Sequence, residues 1–227
     1  MIYNLLTGNI SPVDLLALLL ALVFGITVHE FAHALAATWL GDPLPRRQGR
    51  LTLAPAAHLD PMGSLMFAVA GFGWGRPVEY NPYALRGNPR TGGALIAVAG
   101  PISNILFAAL LAIPARLIPI ALQTSAYELL FWADSTAPVV VLYQVLIGMI
   151  SYNLMLSIFN LIPVPPLDGF AVLQGILPPA LAEQIEIIRP YGFFILFLLM
   201  FAGSSVLGAI MTRPIAFLEY LLVFAGA

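Results

Sequence analysis

The apolar segment from position 15 to 40 contains a cluster of ionisable side chains. A helix over these ~26 residues would be roughly 39 Å long, enough to cross the hydrocarbon core of a bilayer. The sequence His-Glu-Phe-Ala-His occupies positions 29–33, in the last turns of this segment. Ionisable groups are costly inside a membrane and mark functional sites there. The chain is therefore expected to fold around a polar site carried by a membrane helix.

The two histidines of this cluster, His29 and His33, have the spacing of a metal-binding pair. Residues four apart lie on one face of a helix, so both imidazoles can bind one ion, and Glu30 lies beside that face as a candidate general base. A lone buried histidine is more often a hydrogen-bonded core residue, and a glutamate near a helix end can reach the interface. The joint HExxH pattern in an uncharged segment favours a zinc-hydrolase site.

Composition places the whole chain in the membrane class. Of its 227 residues, 60% are hydrophobic and 9% charged, whereas soluble domains carry about 25% charged residues. The lipid bilayer is therefore its expected partner, and a net charge of -2 offers no basic surface for nucleic acid. The chain has no cysteine, so any metal must be bound by nitrogen and oxygen ligands.

Apolar segments predict an all-α polytopic membrane protein in a single domain, residues 1–227. The predicted spans are 15–40, 92–118, 138–160 and 191–211. Segments 64–74 and 215–224 are short of the ~20 residues that a span needs, and 64–74 is better described as re-entrant or interfacial. A short strand is predicted from Arg50 to Leu53 in the connection 42–90. The expected architecture is a three-helix catalytic core at about 12–178, a short re-entrant β loop, and additional C-terminal transmembrane helices at about 190–226.

The distribution of arginine predicts the orientation. Six of the nine basic residues lie between positions 46 and 90, and the positive-inside rule places such a connection in the cytoplasm. The ends of the first and third spans and the start of the second then lie on that side. We expect a multi-pass protein of the cell membrane whose site is toward the cytoplasmic side.

The second predicted span contains Gly100-Pro101-Ile102-Ser103-Asn104. Proline cannot donate a hydrogen bond to the preceding turn, so the helix is bent or opened at Pro101, and the amide of Asn104 follows one turn later. These residues are equally compatible with a packing kink and a polar contact between helices, and with a functional amide.

The third span is followed by three prolines and Asp168. The prolines stop the helix and place Asp168 on a stiff turn, where its carboxylate is either a third metal ligand or a helix N-cap. Asn153, Ser157 and Asn160 form a polar face on this span, which lines a water path or contacts neighbouring helices. His58 lies in a turn and is a candidate structural or substrate-contacting residue.

These three motifs closely resemble the site-2 protease family of intramembrane zinc metalloproteases. The resemblance rests on HExxH at 29–33, GPxxN at 100–104 and NxxPxPxLDG at 160–169, in this order, and residues 49–61 resemble the membrane-associated β loop of its bacterial members. It implies that His29, His33 and Asp168 bind one zinc ion per chain and that Glu30 activates water. It also implies that Asn104 holds the scissile peptide or stabilises the oxyanion. His58 and Asn160 are candidate substrate-binding or supporting residues.

The resemblance implies intramembrane proteolysis of single-pass transmembrane proteins that another protease has already trimmed. Many bacterial members insert a PDZ domain after the first core helix, and the connection 42–90 is too short for one. Two functions of other classes stay open from the residues alone: a divalent-metal transporter, and a catalytically inactive protein that binds transmembrane helices. The sequence leaves the oligomeric state open.

Overall fold

The computed structural model describes residues 11–70, 73–131, 136–201 and 204–225. Within these ranges the chain is helical and forms no β-strand. The α-helices are α1 Pro12–Trp39, α2 Leu44–Arg47, α3 Pro61–Ala70, α4 Pro89–Leu122, α5 Ala126–Phe131, α6 Pro138–Asn160, α7 Asp168–Ile176, α8 Pro179–Ile185, α9 Gly192–Phe201 and α10 Ser204–Glu219. There are also 3-10 turns at Pro55–Ala57, Pro82–Ala84 and Glu186–Tyr191, and a π-helical turn at Tyr220–Phe224.

In the part of the chain that the structure describes, four apolar helices are long enough to cross a membrane, as expected of a multi-pass membrane protein. Three of them, α1, α4 and α6, coincide with the spans predicted from the sequence. The fourth runs over Ser205–Phe224 and so includes the segment 215–224, which is too short to form a span by itself. The predicted fourth span, 191–211, crosses residues 202 and 203, which lie outside the described residues.

The predicted strand from Arg50 to Leu53, and with it the re-entrant β loop, is wrong. Local contacts hold this backbone instead: the Thr52 hydroxyl accepts from the amide of Ala54 at 3.1 Å, and the Thr52 carbonyl is 2.7 Å from Nε2 of His58. Pro55 then begins a 3-10 turn. Within the described residues the loop contributes one isolated antiparallel bridge, between Leu59 and Gly75.

The three long helices α1, α4 and α6 all pack on one another. Small residues allow this close packing: a Cβ added at Gly148 of α6 would lie 2.6 Å from Cβ of Ala17 on α1, and Ala108 of α4 is completely buried. The outward face of α4 bears large exposed apolar residues at helical spacing, namely Leu106, Leu110, Ile113, Leu117 and Ile120. Small residues between helices and large apolar residues outside are typical of membrane bundles.

Helix α7 is short but firmly attached to α4. A Cβ at Gly175 would lie 2.3 Å from Cβ of Ala94, so the two helices are in close contact. The Arg90 guanidinium donates to the carbonyl of Gln174 at 2.6 Å and to that of Leu177, which satisfies free carbonyls at the C-terminal end of α7. This attachment fixes the position of Asp168, the first residue of α7.

Candidate active site

His29, His33 and Asp168 converge between helices α1 and α7. Oδ2 of Asp168 lies 3.0 Å from Nε2 of His29 and 3.4 Å from Nε2 of His33. Both histidines are buried. Among the described residues this is the group of histidine, aspartate and glutamate side chains whose ligand atoms lie close enough, within 4.8 Å of one another, to bind one metal ion.

Hydrogen bonds at the outer nitrogens turn both imidazoles toward Asp168. Nδ1 of His29 is 2.7 Å from Oδ1 of Asn104, and Nδ1 of His33 is 2.7 Å from the carbonyl of Ile96. Both partners are acceptors, so each Nδ1 carries the proton and donates. In the neutral imidazole, each Nε2 then presents a lone pair, which is the form in which a histidine binds metal.

Asp168 supplies the third electron-pair donor. Its Oδ2 is buried and has no hydrogen-bond partner among the described residues. Two imidazole nitrogens and one carboxylate oxygen, each with a lone pair, thus face one another in a buried place with no hydrogen-bond donor between them. This arrangement is unfavourable unless a cation lies among the three atoms, so these residues fit a zinc ion.

Asp168 is not the N-cap of its helix. The cap residue is Leu167, and no side chain caps this end. Gly169 contributes to the placement of Asp168, because its Cα faces the end of α6 so closely that an added Cβ would lie 2.2 Å from the carbonyl oxygen of Leu161. The carboxylate is thereby free to face the histidines.

Gly100 forms the wall of the site on helix α4. A Cβ at this position would lie 2.5 Å from Cε1 and Nε2 of His33 and 2.7 Å from Cε1 of His29. Glycine is therefore the residue that lets the backbone of α4 contact both imidazoles. The sequence pattern drew attention to Pro101 and Asn104, whereas the structure gives Gly100 an equally direct place at the site.

Glu30 is held by the connection between α1 and α4. Its Oε2 accepts a hydrogen bond from the amide of Val78 at 3.1 Å and lies 4.0 Å from the Arg50 guanidinium. Arg50 is buried and also donates to the carbonyls of Ala57 and Arg76. Arg50 has no predicted role at the site, because the positive-inside rule uses its charge only for orientation; its place before an apolar segment is the signal that could have identified it.

Asn104 contacts His29 through a fully buried side chain. Its Nδ2 donates to the carbonyl of Gly25 and to Oδ1 of Asn153, both at 3.0 Å. An amide has two N–H donors, so both are used. Asn153, one member of the polar face predicted on the third span, thus lies in direct contact with a residue that holds His29.

The remaining candidates lie apart from the metal-binding group. His58 is completely buried and its Nε2 contacts the carbonyl of Thr52. Asn160 donates to the carbonyl of Leu156 in its own helix at 2.9 Å. Ser157 is buried and donates to the carbonyl of Pro101 at 2.9 Å. The described hydrogen bonds of these three side chains are all to backbone carbonyls. Substrate binding by His58 and Asn160 stays a prediction.

A cavity of about 410 Å³ reaches Asp168. Apolar side chains form most of its wall, and Arg189 lies at its edge; the lining residues other than these two include Pro165, Pro166, Leu167, Phe170, Pro190 and Phe193. The Arg189 guanidinium lies 5.3 Å from the centre of the Phe170 ring. The cavity gives the carboxylate access from outside the bundle.

Comparison with known proteins agrees with this geometry. Residues 17–199 match the model of peptidase family M50. The chain is 39% identical over 84% of its length to YwhC of Bacillus subtilis, named as a candidate zinc metalloprotease, and covers 83% of that protein. It is 26% identical to Rip2 of Mycolicibacterium smegmatis, which carries the same description, over 85% of this chain and 71% of that one.

No solved structure matches the chain. The family match covers α1, α4, α6 and α7, which carry all three residues of the metal-binding group. A buried set of two imidazoles and one carboxylate, in a chain of apolar helices, has the composition of a catalytic zinc site. The chain is a zinc metalloprotease and belongs to peptidase family M50.

Proposed function

We propose that the chain hydrolyses a peptide bond within or near the transmembrane helix of a membrane protein, as a step in regulated intramembrane proteolysis. The observation that carries this proposal is the convergence of His29, His33 and Asp168 between apolar helices, with Glu30 on the same helix as both histidines. We assign the three converging residues as the zinc ligands and Glu30 as the general base. The three-helix core at about 12–178 and the rest of residues 1–227 form one protease domain.

When bound, zinc would lower the pKa of a coordinated water and polarise the peptide carbonyl. The chain's own residues provide the rest. Oε1 of Glu30 accepts no hydrogen bond from the described residues, whereas Oε2 is held by Val78. One carboxylate oxygen is thereby fixed and the other is free to take a proton from the attacking water and to pass it to the leaving amine.

The substrate must present an extended peptide to this site. A backbone amide inside a helix is already hydrogen-bonded and shielded by the surrounding turns, so the substrate helix has to unwind locally before attack. The apolar wall of the cavity at Asp168 suits the side chains of such an unwound segment. A single-pass transmembrane protein can reach such a site sideways from the lipid bilayer.

The last part of the proposal concerns the side of the membrane that the site faces. The Arg-rich connection 42–90 follows α1 directly and holds Glu30 through Arg50 and Val78. By the positive-inside rule this connection faces the cytoplasm. Substrate would then be cut near its cytoplasmic side, at the cell membrane, and the product released on that side.

Glu30→Gln tests the reaction. The purified protein, reconstituted in liposomes with a transmembrane reporter, should lose about 10²- to 10⁴-fold in cleavage rate, the range for removal of a general base, with zinc content unchanged. A divalent-metal transporter would instead keep zinc uptake in the variant, and a helix-binding protein would keep reporter binding and show no cleavage in the unmodified chain. Cleavage at the unmodified rate would remove Glu30 from the mechanism.

A further inference from the structure

The two histidines differ in what holds their outer nitrogen. Nδ1 of His33 donates to a backbone carbonyl, that of Ile96, which can only accept and so fixes the imidazole directly. Nδ1 of His29 instead faces the side-chain amide of Asn104. An amide presents oxygen or nitrogen depending on how it is turned, so whatever orients Asn104 also decides which nitrogen of His29 carries the proton.

Backbone carbonyls determine both amide orientations. The carbonyl of Gly25 accepts from Nδ2 of Asn104 at 3.0 Å, and that of Met149 accepts from Nδ2 of Asn153 at 2.8 Å. The second contact turns Oδ1 of Asn153 toward Nδ2 of Asn104, which donates to it at 3.0 Å. If either amide were flipped, two oxygens or two N–H groups would face each other in a buried place, at a large energetic cost.

We propose that Asn153 and Asn104 form a relay that positions His29 for zinc, carrying the orientation fixed by the Met149 carbonyl on α6 to the imidazole on α1. Asn104 presents an oxygen to Nδ1 of His29, so the proton stays on Nδ1 and the lone pair of Nε2 faces Asp168. Asn153 is a positioning residue that acts through Asn104. The inference deepens the proposed function and rests on it, because it takes His29 to be a zinc ligand.

Burial and donor count support a relay over a direct contact with substrate. Asn104 and Asn153 are 0% and 1% exposed, so neither side chain reaches the surface of the bundle. An oxyanion requires an N–H donor, and both donors of Asn104 are engaged by Gly25 and Asn153. The oxygen of Asn104, which contacts His29, cannot stabilise negative charge.

Helix α1 packs directly against the relay. A Cβ at Gly25 would lie 2.8 Å from Oδ1 of Asn153. Gly25→Ala therefore displaces the relay without removing a polar atom. It provides a test that is independent of deleting the Asn153 amide.

The experiment measures the zinc dissociation constant of the purified full-length protein by competition with a chelator, together with thermal unfolding of the zinc-free form. Asn104→Leu should weaken zinc binding by about 10- to 100-fold, the range for partners of metal-binding histidines. Asn153→Leu and Gly25→Ala should each weaken it by about tenfold. Asn153→Asp keeps an oxygen opposite Nδ2 of Asn104 and should bind more tightly than Asn153→Leu.

Ser157→Ala is the matched control. Ser157 is also buried on α6, one turn beyond Asn153, and donates to the carbonyl of Pro101 rather than to the relay. This variant should lower thermal stability and leave zinc affinity unchanged. Zinc affinity that is unchanged in Asn104→Leu and Asn153→Leu, or weakened equally by Ser157→Ala, would overturn the relay.

His29→Ala separates failure of the relay from failure of the proposed function. Loss of zinc in this variant with unchanged affinity in Asn153→Leu contradicts the relay alone. Zinc retained in His29→Ala contradicts the metal site itself, and the relay with it.

Discussion

At the scale of single residues, the site depends on the lack of a side chain at Gly100 as much as on the three residues proposed as ligands. The backbone of α4 contacts both imidazoles at Gly100. A methyl group there would be too close to atoms of His33 and His29, and neither ring can move away without leaving Asp168. Glycine is required by this close approach.

Gly100→Ala should therefore abolish tight zinc binding. We expect zinc affinity to fall by at least the ~10- to 100-fold seen when a ligand loses its support, measured by chelator competition on purified protein. Gly208→Ala is the control, because a Cβ at Gly208 in α10 meets no atom within 4 Å; this variant should keep zinc. Full zinc affinity in Gly100→Ala would show that the two rings are not packed on α4 as described.

The residues of the site differ in how far they could be predicted from sequence. The spacing of His29 and His33 places both on one helix face, and the prolines before Asp168 constrain the backbone that carries its carboxylate. These three predicted residues are the ones that the structure brings together. The contact between Asn104 and Asn153 could not be derived in this way. It depends on how α4 and α6 are rotated about their axes, which helix periodicity does not determine.

At the scale of elements, Arg50 organises the connection between α1 and α4. Its buried guanidinium donates to the carbonyls of Ala57 and Arg76 and faces Glu30. Hydrogen bonds from a charged group contribute about 1.5–3 kcal/mol each. The connection should therefore lose order when this donor is removed.

Arg50→Gln should accelerate hydrogen exchange across residues 50–70 and 73–79, including the Val78 amide that donates to Glu30. Mass spectrometry of the purified protein measures this exchange segment by segment. Arg47→Gln, at an exposed position of the same connection, should leave exchange unchanged. Equal exchange in the two variants would mean that the loop is ordered by other contacts.

The connection also shows where element prediction from sequence fails. Residues 50–53 have the alternating pattern of a strand, but a strand needs a partner along its length, and here the side chains of Thr52 and His58 take up the local donors and acceptors. For the C-terminal segment the difficulty is a different one. Apolar composition identifies lipid exposure over 191–224 but does not identify which ~20 residues form one helix.

At the scale of the whole molecule, the proposed orientation in the membrane decides on which side the product is released. The chain has no cysteine, so single cysteines can report topology with a membrane-impermeant thiol reagent. Tyr83, which is 90% exposed, lies in the connection 42–90, and Tyr127, which is 59% exposed, lies between α4 and α6.

Intact cells should show labelling of Tyr127→Cys and none of Tyr83→Cys until the membrane is permeabilised. The reason is that α4 separates the two positions and the proposed orientation places the Arg-rich connection in the cytoplasm. The two substitutions start from the same residue type, so each is the control for the other. Labelling of Tyr83→Cys from outside would reverse the orientation and the side on which product is released.

The central claim is that one zinc ion is bound by His29, His33 and Asp168 inside a membrane protein. X-ray absorption at the zinc edge of the purified protein tests it most directly. We expect about one zinc per chain, two imidazole nitrogens at ~2.0–2.1 Å, oxygen ligands at ~2.0–2.2 Å and no sulfur, with loss of the metal in Asp168→Ala. A protein without zinc, or an unchanged spectrum in Asp168→Ala, would contradict the account.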